Sequence, residues 1–598
     1  MLNGGPIGFF DVGRGLKQGD PLSPILFILA QDVLSRKIHQ LVMEGKIQPM
    51  VVRNGIHPTH IMFADDIFLF CNGRKKSIEN LKSLLMEYQA ASGQVFNATK
   101  SKCFVDGTSD TRKRQIADYF QIDLSFFPDK YLGVFLAQGK MKSIHIWYLV
   151  DYMHLRLASW SGKILNFQAR LTLVNHVLSS IPIYNLSIYK WPRKVLEACE
   201  KIIRNYLWSG NAEERKCITL KWDNVYTSKE EGGLGIRKLE DVNKALLMKL
   251  LWKILNYHDE WANFFLAKYM DINGNWINYY RKSSVWNGIK WVLPEFIENT
   301  RWIVDNDFLQ FFNIDQLPVL KEGEDLLIWC NSHSGVFTVS DAINKIRIHQ
   351  PKLHWYKKIW NSAVLPSTSA NVWKIARNVC ATEENLRKKG FQFASRCYIC
   401  HDGEDSIEHI LWKCDFSTSL WNWLSSIFLS PKPNSFEDVL KMHKNSSPVI
   451  KELWIISSYT AMVELWFLRN AIYYDAEKPV LTKIQLRIAR KVHECEVRLK
   501  GVMWGTGIEK SILQFFNIQV RKMRRTIIIE IFFYLPNENE LLLCCDGASR
   551  GNPGNADYGF VVRNHVGAFI FAESGGLGIT TNYVEEFISC IKALEWAV

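Results

Sequence analysis

Residues 61–70 read IMFADDIFLF, with two adjacent aspartates inside an otherwise apolar run. The aromatic and β-branched residues on both sides predict two short strands, with Asp65 and Asp66 at the turn of a hairpin. Burial of such a pair without partners would be costly. Carboxylate oxygens are the ligands that Mg²⁺ prefers, and a two-metal phosphoryl-transfer site needs clustered acids. The stretch by itself therefore fits either a divalent-cation site or an exposed polar turn.

The segments around this hairpin narrow the choice. A basic loop, residues 14–24 (RGLKQGDPLSP), precedes an apolar segment of helical length at 25–41, and the blocks ASGQVFNATKS (91–101) and YLGV (131–134) follow. In this order and spacing the blocks resemble the second half of the reverse-transcriptase palm of plant non-LTR (LINE-type) retrotransposons. The resemblance implies RNA-directed DNA polymerisation, with an RNA template and a DNA primer as partners.

The resemblance also implies roles for individual residues. Asp65 and Asp66 would hold catalytic Mg²⁺, Gln18 and Gly19 would lie under the template and the incoming nucleotide, and Lys100 would lie near the triphosphate. The residues alone also allow purely structural roles. Asp20 and Pro21 fit the start of a helix, and an isolated lysine such as Lys100 is usually solvated. In the family, the first metal-binding Asp and the fingers lie N-terminal to this loop. This sequence does not contain them, so we expect the chain to polymerise poorly by itself.

Composition indicates a globular, basic protein. The 598 residues contain 73 basic and 60 acidic side chains, a formal charge of +13, which favours a polyanionic partner such as nucleic acid. Thirteen cysteines, mostly scattered singly, argue against a disulfide framework. No apolar run approaches the ~18–20 residues of a membrane span, and residues 1–10 lack the pattern of a signal peptide. We therefore expect an intracellular protein, in the nucleus or the cytoplasm, with no membrane partner.

From residue 141 to about 257, apolar residues recur at helical spacing with basic residues between them. The resembled elements have a thumb and connection here, and a thumb grips the primer-template duplex through its phosphates. A solvated basic helix face explains the same residues equally well. The candidate contacts are Lys190, Arg193, Lys194, Lys201 and Arg204.

A second motif consists of Cys397, Cys400, His409 and Cys414, with the spacing C-x2-C-x8-H-x4-C. Thiolates with one imidazole select Zn²⁺, and four protein ligands leave no open position for chemistry, so the motif predicts a structural zinc site. Two alternatives are a c-type haem attachment string, Cys397 to His401, and four unrelated core side chains. The surrounding residues resemble the zinc-binding region that follows the polymerase in plant LINE-type elements.

The C-terminal stretch begins with LLLCCDGASRGNPG (541–554), which predicts a strand ending near Asp546 and followed by Gly-rich turns. Strands near 558–562 and 569–571 and a helix from Thr581 should follow. This arrangement resembles type-1 ribonuclease H, in which a strand Asp and a helix Glu hold Mg²⁺ and cut the RNA of an RNA–DNA hybrid. Asp546 and Glu586 match those positions, and Glu585 stands where the family has a small residue. The bland alternative is a solvated turn with a surface Glu pair.

The predicted fold class is multidomain α+β, in which a partial reverse-transcriptase palm precedes helical regions and the N-terminal part of a ribonuclease H-like α/β domain. The expected function is that of a LINE-type reverse transcriptase, catalytically incomplete as this chain. The alternatives are a non-catalytic nucleic-acid-binding retrotransposon remnant and a group II intron maturase relative, and the oligomeric state is left open. The expected segments are palm 1–140, helical thumb and connection 141–260, connecting region 261–335, zinc-binding region 336–430, helical linker 431–535 and ribonuclease H-like domain 536–598.

Overall fold

The structure is a computed structural model. It describes residues 15–16, 19–160, 162, 164–216, 218, 220–256, 259–303, 326–332, 334–392, 394–523, 534–551 and 554–598. The chain divides into two compact units, residues 1–522 and residues 523–598. Gln18, a predicted template contact, lies outside the described residues.

The N-terminal part of the first unit combines helices with short two-stranded sheets. Its elements are α1 (Ser23–Met43), β1 (His60–Phe63), β2 (Asp66–Leu69), α2 (Lys75–Ser92), β3 (Lys102–Cys103), α3 (Asp110–Phe120), β4 (Asp123–Leu124), β5 (Asp129–Tyr131) and β6 (Val134–Leu136). Leu34 and Ile38 of α1 pack with Leu81, Leu84 and Tyr88 of α2 in a core of their own. Because β1 and β2 pack against this core through Met62 and Ile67, the acidic hairpin lies against α1 and α2.

The predicted helix at 25–41 is confirmed, although α1 begins at Ser23 rather than at Pro21. Asp20 does not cap the helix; its Oδ1 instead accepts a hydrogen bond from the Leu22 amide at 3.0 Å, in the turn that precedes α1. Pro24 occupies the first turn, where a missing amide hydrogen costs no helical bond.

The rest of the first unit is mainly helical, as the periodicity predicts. Its elements are α4 (Ser143–Ala158), α5 (Phe167–Leu173), α6 (Ile183–Leu186), α7 (Arg193–Ser209), α8 (Trp222–Tyr226), α9 (Leu239–Asn256), α10 (Glu260–Tyr269), α11 (Trp286–Glu298), β7 (Thr300–Ile303), β8 (Leu326–Trp329), α12 (Val339–Ile346), α13 (Tyr356–Ile359), α14 (Pro366–Ala376), α15 (Glu383–Arg387), α16 (Asp415–Phe428), α17 (Phe436–Lys441), α18 (Pro448–Asp475), α19 (Leu481–Glu494) and α20 (Gly507–Phe515). One continuous apolar core runs from Val134 to Ile518 and includes Trp373, Trp421 and Trp454.

The predicted helical linker 431–535 contains two long helices, α18 and α19, separated by a short break. α18 ends at Asp475, and Ala476 adopts the left-handed conformation with φ +53°. Pro479 follows, and proline cannot donate the amide hydrogen that a continuing helix needs. α19 then runs from Leu481 to Glu494, and Ile484, Ile488 and Val492 are buried along one of its faces.

The second unit contains a three-stranded antiparallel sheet and one helix. β9 (Leu542–Gly551) and β11 (Phe569–Thr580) flank the central β10 (Gly554–Arg563), and α21 (Asn582–Ala597) packs on β9 and β10. The prediction that the first strand ends near Asp546 is wrong. Asp546 lies mid-strand opposite Gly559, because β9 stays paired with β10 as far as Gly551. The buried core of this unit is Phe560, Val562 and Ala593.

Among the described residues, we find no helix that is both long and apolar enough to cross a membrane.

Candidate metal centre and acidic sites

The four predicted zinc ligands converge. Their candidate ligand atoms, three sulfurs and one imidazole nitrogen, all lie within 4.8 Å of one another. The Cys400 sulfur is 3.2 Å from His409 Nε2. A tetrahedral site with Zn–S bonds of ~2.3 Å has ligand-to-ligand edges of about 3.8 Å, so this cluster fits one Zn²⁺ after small adjustments. Cys397 and Cys414 are fully buried, which suits a structural ion.

A tight turn positions the first two cysteines. The Cys397 amide donates to the Gly403 carbonyl at 3.0 Å, and the His401 amide donates to the Cys397 carbonyl at 3.0 Å. The Asp402 amide points at the Cys400 sulfur at 3.4 Å. Amide donors aimed at sulfur favour the thiolate, which is the form that binds a metal.

His409 and Cys414 come from the far side of the site. A π-helical turn spans His409–Lys413, and Cys414 directly precedes α16. The wider π turn brings the Cys414 amide to the His409 carbonyl at 2.9 Å. The two ligands therefore face the same point although four residues separate them, and the interpretation as four unrelated core side chains is wrong.

Gly403 is a residue of this site that the sequence analysis missed. Its φ is +69°, and a Cβ at this position would lie 2.5 Å from His409 Cε1 and 2.6 Å from Nδ1. Only glycine allows the imidazole to approach the turn this closely. The available signal was the position of a glycine three residues after Cys400.

A buried ion pair ties the metal-binding loop to the long helix α18. Asp405 and Arg469 are almost fully buried, and Arg469 Nε donates to Asp405 Oδ1 at 3.0 Å. Asp405 Oδ2 also accepts the Glu383 amide at 2.9 Å. The Arg469 guanidinium lies 4.9 Å from the ring centre of Tyr398, between the two cysteines of the turn. These contacts hold the loop in addition to any metal bound by the cluster.

Two thiols of the cluster, Cys397 and Cys414, share a hydrogen bond. This hydrogen bond between Cys397 and Cys414 raises the pKa of Cys397 and lowers that of Cys414.

His401, which the haem alternative requires, is exposed and in the left-handed conformation, and it is not a member of the cluster. The geometry therefore favours a Cys₃His metal centre over a haem attachment site.

The acidic hairpin forms as the sequence predicts, with one difference. Phe63 pairs with Asp66, so Asp65 lies in the two-residue turn with Ala64 and Asp66 is the first residue of β2. Ala64 has φ +51°, a conformation that a non-glycine residue adopts at a cost. Both aspartates are exposed.

Contacts on three sides hold the hairpin in place. Gln31 of α1 donates from Nε2 to the Ala64 carbonyl at 2.9 Å, and Ser35 lies 2.8 Å from His60 Nε2. The Tyr131 ring packs edge-on against Phe68 at 4.6 Å. Burial, together with the charges of Asp66 and Asp65, raises the pKa of the Tyr131 phenol. Tyr131, the first residue of the block at 131–134, therefore lies close to the acidic hairpin.

Two other predicted polymerase residues, Gly19 and Lys100, lie on turns of the same N-terminal part of the first unit. Gly19 has φ +85° and is exposed in the loop before α1. Lys100 is exposed in the turn after α2, where its amide donates to Asn97 Oδ1 at 3.1 Å. Within the described residues, Asp65 and Asp66 do not belong to a group of three or more potential metal ligands.

The C-terminal acids lie where β9 meets the start of α21. A Cβ on Gly547 would be 2.6 Å from Glu585 Cγ and 2.8 Å from the Glu586 amide nitrogen, so the helix touches the strand directly beside Asp546. Glu586 and Asp546 are exposed, whereas Glu585 is 1% exposed. Glu585 Oε2 has no hydrogen-bond partner among the described residues. Burial raises the pKa of Glu585, and the charges of Glu586, Asp546 and Asp557 raise it further.

Two family models match the chain. Residues 1–142 match the reverse transcriptase (RNA-dependent DNA polymerase) family, and residues 337–421 match a family described as zinc-binding in reverse transcriptase. The first match contains the acidic hairpin, and the second contains all four members of the Cys₃His cluster. The chain therefore contains a reverse-transcriptase domain and a zinc-binding reverse-transcriptase region.

Curated relatives include plant and retrotransposon proteins. An Arabidopsis thaliana protein provisionally named as a ribonuclease H protein is 23% identical over 507 residues, 72% of this chain and 78% of that protein. The retrovirus-related Pol polyprotein of a type-2 retrotransposable element of Drosophila melanogaster is 28% identical over 279 residues. That match spans 43% of this chain and 24% of the polyprotein. An uncharacterized mitochondrial protein of Arabidopsis thaliana is 43% identical over 67 residues, 11% of this chain and 55% of that protein.

Proposed function

We propose that this chain is part of a LINE-type retrotransposon reverse transcriptase whose C-terminal unit is ribonuclease H-like. The observation that supports this most is the order of the two sites: an Asp-Asp hairpin within the reverse-transcriptase match precedes a Cys₃His cluster within the zinc-binding match. The proposed partners are an RNA template, a DNA primer and their RNA–DNA hybrid.

The acidic hairpin is the proposed polymerase site. In RNA-directed DNA synthesis a primer 3′-hydroxyl attacks the α-phosphate of a nucleotide, and Mg²⁺ supplies charge neutralisation when bound. Asp65 and Asp66 are exposed on a short, well-anchored turn and would hold the cation. Gln18, Gly19 and Lys100 would contact the template, the nucleotide and the leaving group.

The described residues provide only part of a two-metal site. Two carboxylates without a third in reach bind a cation weakly and position it poorly. We therefore propose that this chain binds primer-template but polymerises slowly. The same argument applies to Asp546 and Glu586, which would hold Mg²⁺ for hybrid cleavage in the C-terminal unit.

We propose a structural role for Zn²⁺ at Cys397, Cys400, His409 and Cys414. The four side chains complete a coordination shell, which leaves no position for a substrate. Cys397 and Cys414 are part of the continuous apolar core of the first unit, so the ion would stabilise that core.

The second candidate function is that of a non-catalytic nucleic-acid-binding retrotransposon remnant. The acid clusters, which are incomplete within the described residues, favour it, and the net charge of +13 is consistent with either function. For both candidates we propose a nuclear location, which imaging of a fluorescently tagged full chain would test.

Primer extension with Mg²⁺ on an annealed RNA template and DNA primer separates the two functions. The polymerase predicts slow incorporation that falls about 100-fold in Asp65→Asn, equivalent to ~2.7 kcal/mol of transition-state stabilisation. Asp118→Asn, an exposed aspartate of α3, is the matched control and should leave incorporation unchanged. Salt-sensitive binding of the same duplex without any incorporation would instead support the remnant.

A further inference from the structure

A basic pocket lies within the first unit and shares no residue with the metal centre or the acidic hairpin. It has a volume of about 290 Å³ and lies between the C-terminal half of α7, the described residues of the segment 215–222, and the turn after α15. Its charged and aromatic lining residues are Arg204, Trp208, Arg215, Lys216, Trp222 and Lys389. Residues that are distant in sequence thus converge on one cavity.

The pocket contains cations and no carboxylate. Its lining includes no Asp or Glu, and none of its four basic side chains forms an ion pair with a carboxylate among the described residues. Four such charges facing one cavity repel one another, and the cost rises as water is excluded. An anion in the cavity would remove that cost.

Two more cations lie behind the pocket wall. Lys374 lies 3.8 Å from the ring centre of Phe167, and Phe167 packs against Trp208 at 5.3 Å. Burial, together with the charges of Arg170 and Lys216, lowers the pKa of Lys374 to about 8. Arg170 Nε is buried without a hydrogen-bond partner in the described part of the chain. The positive potential therefore comes from the interior as well as from the surface.

The aromatic residues narrow the class of anion. Trp208 and Trp222 are half-buried at the pocket, so each has a partly open indole surface there. Arginine and lysine side chains recognise phosphate oxygens, and an indole face can stack on a nucleobase. A strand whose bases are unpaired can offer a phosphate and a base to the same cavity, whereas a duplex keeps its bases stacked internally.

We propose that this pocket binds a backbone phosphate of a single-stranded nucleic acid, with Arg204, Arg215, Lys216 and Lys389 as donors and a base against Trp208 or Trp222. The proposal deepens the proposed function, on which it rests for the class of partner. It assigns single-strand binding to a position where the helical region and the zinc-binding region meet. The acidic hairpin takes no part in it.

The test is fluorescence anisotropy of the full chain with a 5′-labelled single-stranded RNA, without nucleotide or Mg²⁺. The double variant Arg204→Gln/Lys389→Gln removes one cation from each side of the pocket. The control Lys451→Gln/Lys500→Gln makes the same charge change at two exposed lysines outside it. We expect the pocket variant to weaken binding about tenfold at ~0.15 M salt, and the slope of log K against log salt to fall by at most about 0.7, the value for one lost phosphate contact.

A second double variant, Arg215→Gln/Lys216→Gln, changes exposed residues and keeps the test decisive if the first variant fails to fold. Binding of either folded pocket variant at the control's affinity would overturn the proposal. Displacement of the RNA by inorganic phosphate at equal concentration would also overturn it. So would duplex RNA that binds the unchanged chain as tightly as single-stranded RNA and loses as much affinity in the pocket variants. Because no polymerisation is measured, a chain that binds RNA here but fails in primer extension counts against the proposed function and leaves the pocket assignment intact.

Discussion

At the residue scale, the metal centre depends on a position without a side chain. Gly403 combines a positive φ with the close approach of the His409 ring. Many glycines in the chain have positive φ, but the described structure places few of them against a proposed ligand. Its role follows from contact with His409, six residues away, and a residue pattern alone does not show which glycine has such a neighbour.

Gly403→Ala should lower bound zinc well below one ion per chain, because the new methyl group would displace the His409 imidazole. Gly390→Ala is the matched control: its φ is +92°, yet a Cβ there meets nothing within 4 Å. Elemental analysis of the two purified variants makes the comparison. Equal zinc content in both would show that His409 is not held by the contact with Gly403.

Glu585 is a second residue whose behaviour is decided by its surroundings. Its pKa is raised in the folded state, so the folded chain holds this proton more tightly than the unfolded chain does. The carboxyl group therefore becomes increasingly unfavourable to folding as pH rises from its ordinary pKa of about 4.3 through the raised value. Below that window it has no such effect.

We predict that Glu585→Gln slows hydrogen exchange in α21 at pH 7 and leaves it unchanged near pH 4, after correction for intrinsic exchange rates. Glu538→Gln, at an exposed position of the same unit, should change neither. Faster exchange in Glu585→Gln at pH 7 would mean that the charged carboxylate stabilises the unit, contrary to its burial without a partner.

At the scale of elements, local pattern predicted most of the structure near the hairpin. The helix at 25–41 and the strands around Asp65 follow from spacing and residue type, which act over a few residues. The contact between Asp405 and Arg469 joins residues 64 apart in sequence and could not be inferred in this way. The long first strand of the C-terminal sheet was missed for a related reason, since pairing with β10 keeps Asp-Gly extended where its local preference is a turn.

The hairpin's attachment to α1 can be tested through Gln31. Gln31→Ala removes the hydrogen bond to the Ala64 carbonyl, so the amides of 60–69 should exchange about fivefold faster, equivalent to ~1 kcal/mol. Gln40→Ala, exposed on the same helix, is the control and should leave the hairpin unchanged. If both variants exchange alike, Gln31 does not anchor the turn.

The buried ion pair should show strong coupling between the metal-binding loop and α18. Either Asp405→Asn or Arg469→Gln leaves one buried charge uncompensated, so each should reduce local stability by about 3–5 kcal/mol. The double variant should lose less than the sum of the two. Hydrogen exchange of the peptides around 397–414 measures this cycle, and additive losses would show that the two residues act independently.

At the scale of the whole molecule, the two units have separate cores. Cys397 and Cys414 belong to the core of the first unit, whereas Phe560, Val562 and Ala593 form that of the second. Sequence patterns predicted both the cysteine cluster and the C-terminal sheet. They did not predict that a single apolar core would run from Val134 to Ile518, because that continuity depends on packing between helices distant in sequence.

Zinc chelation should therefore affect the units unequally. After treatment of the full chain with a membrane-permeant zinc chelator, exchange should accelerate in 397–428 and in α18, and stay unchanged in 542–597. The ligand variant Cys397→Ser should reproduce this pattern without chelator. Acceleration of both units together would contradict a local structural role for the ion.

Asp65 and Asp66 are proposed to bind a divalent cation at the hairpin. Electron paramagnetic resonance with Mn²⁺ in place of Mg²⁺ measures this directly on the full chain bound to primer-template. We expect a bound Mn²⁺ that is lost in Asp65→Asn/Asp66→Asn and retained in Asp118→Asn. Equal Mn²⁺ binding by the double variant and the unchanged chain would contradict it.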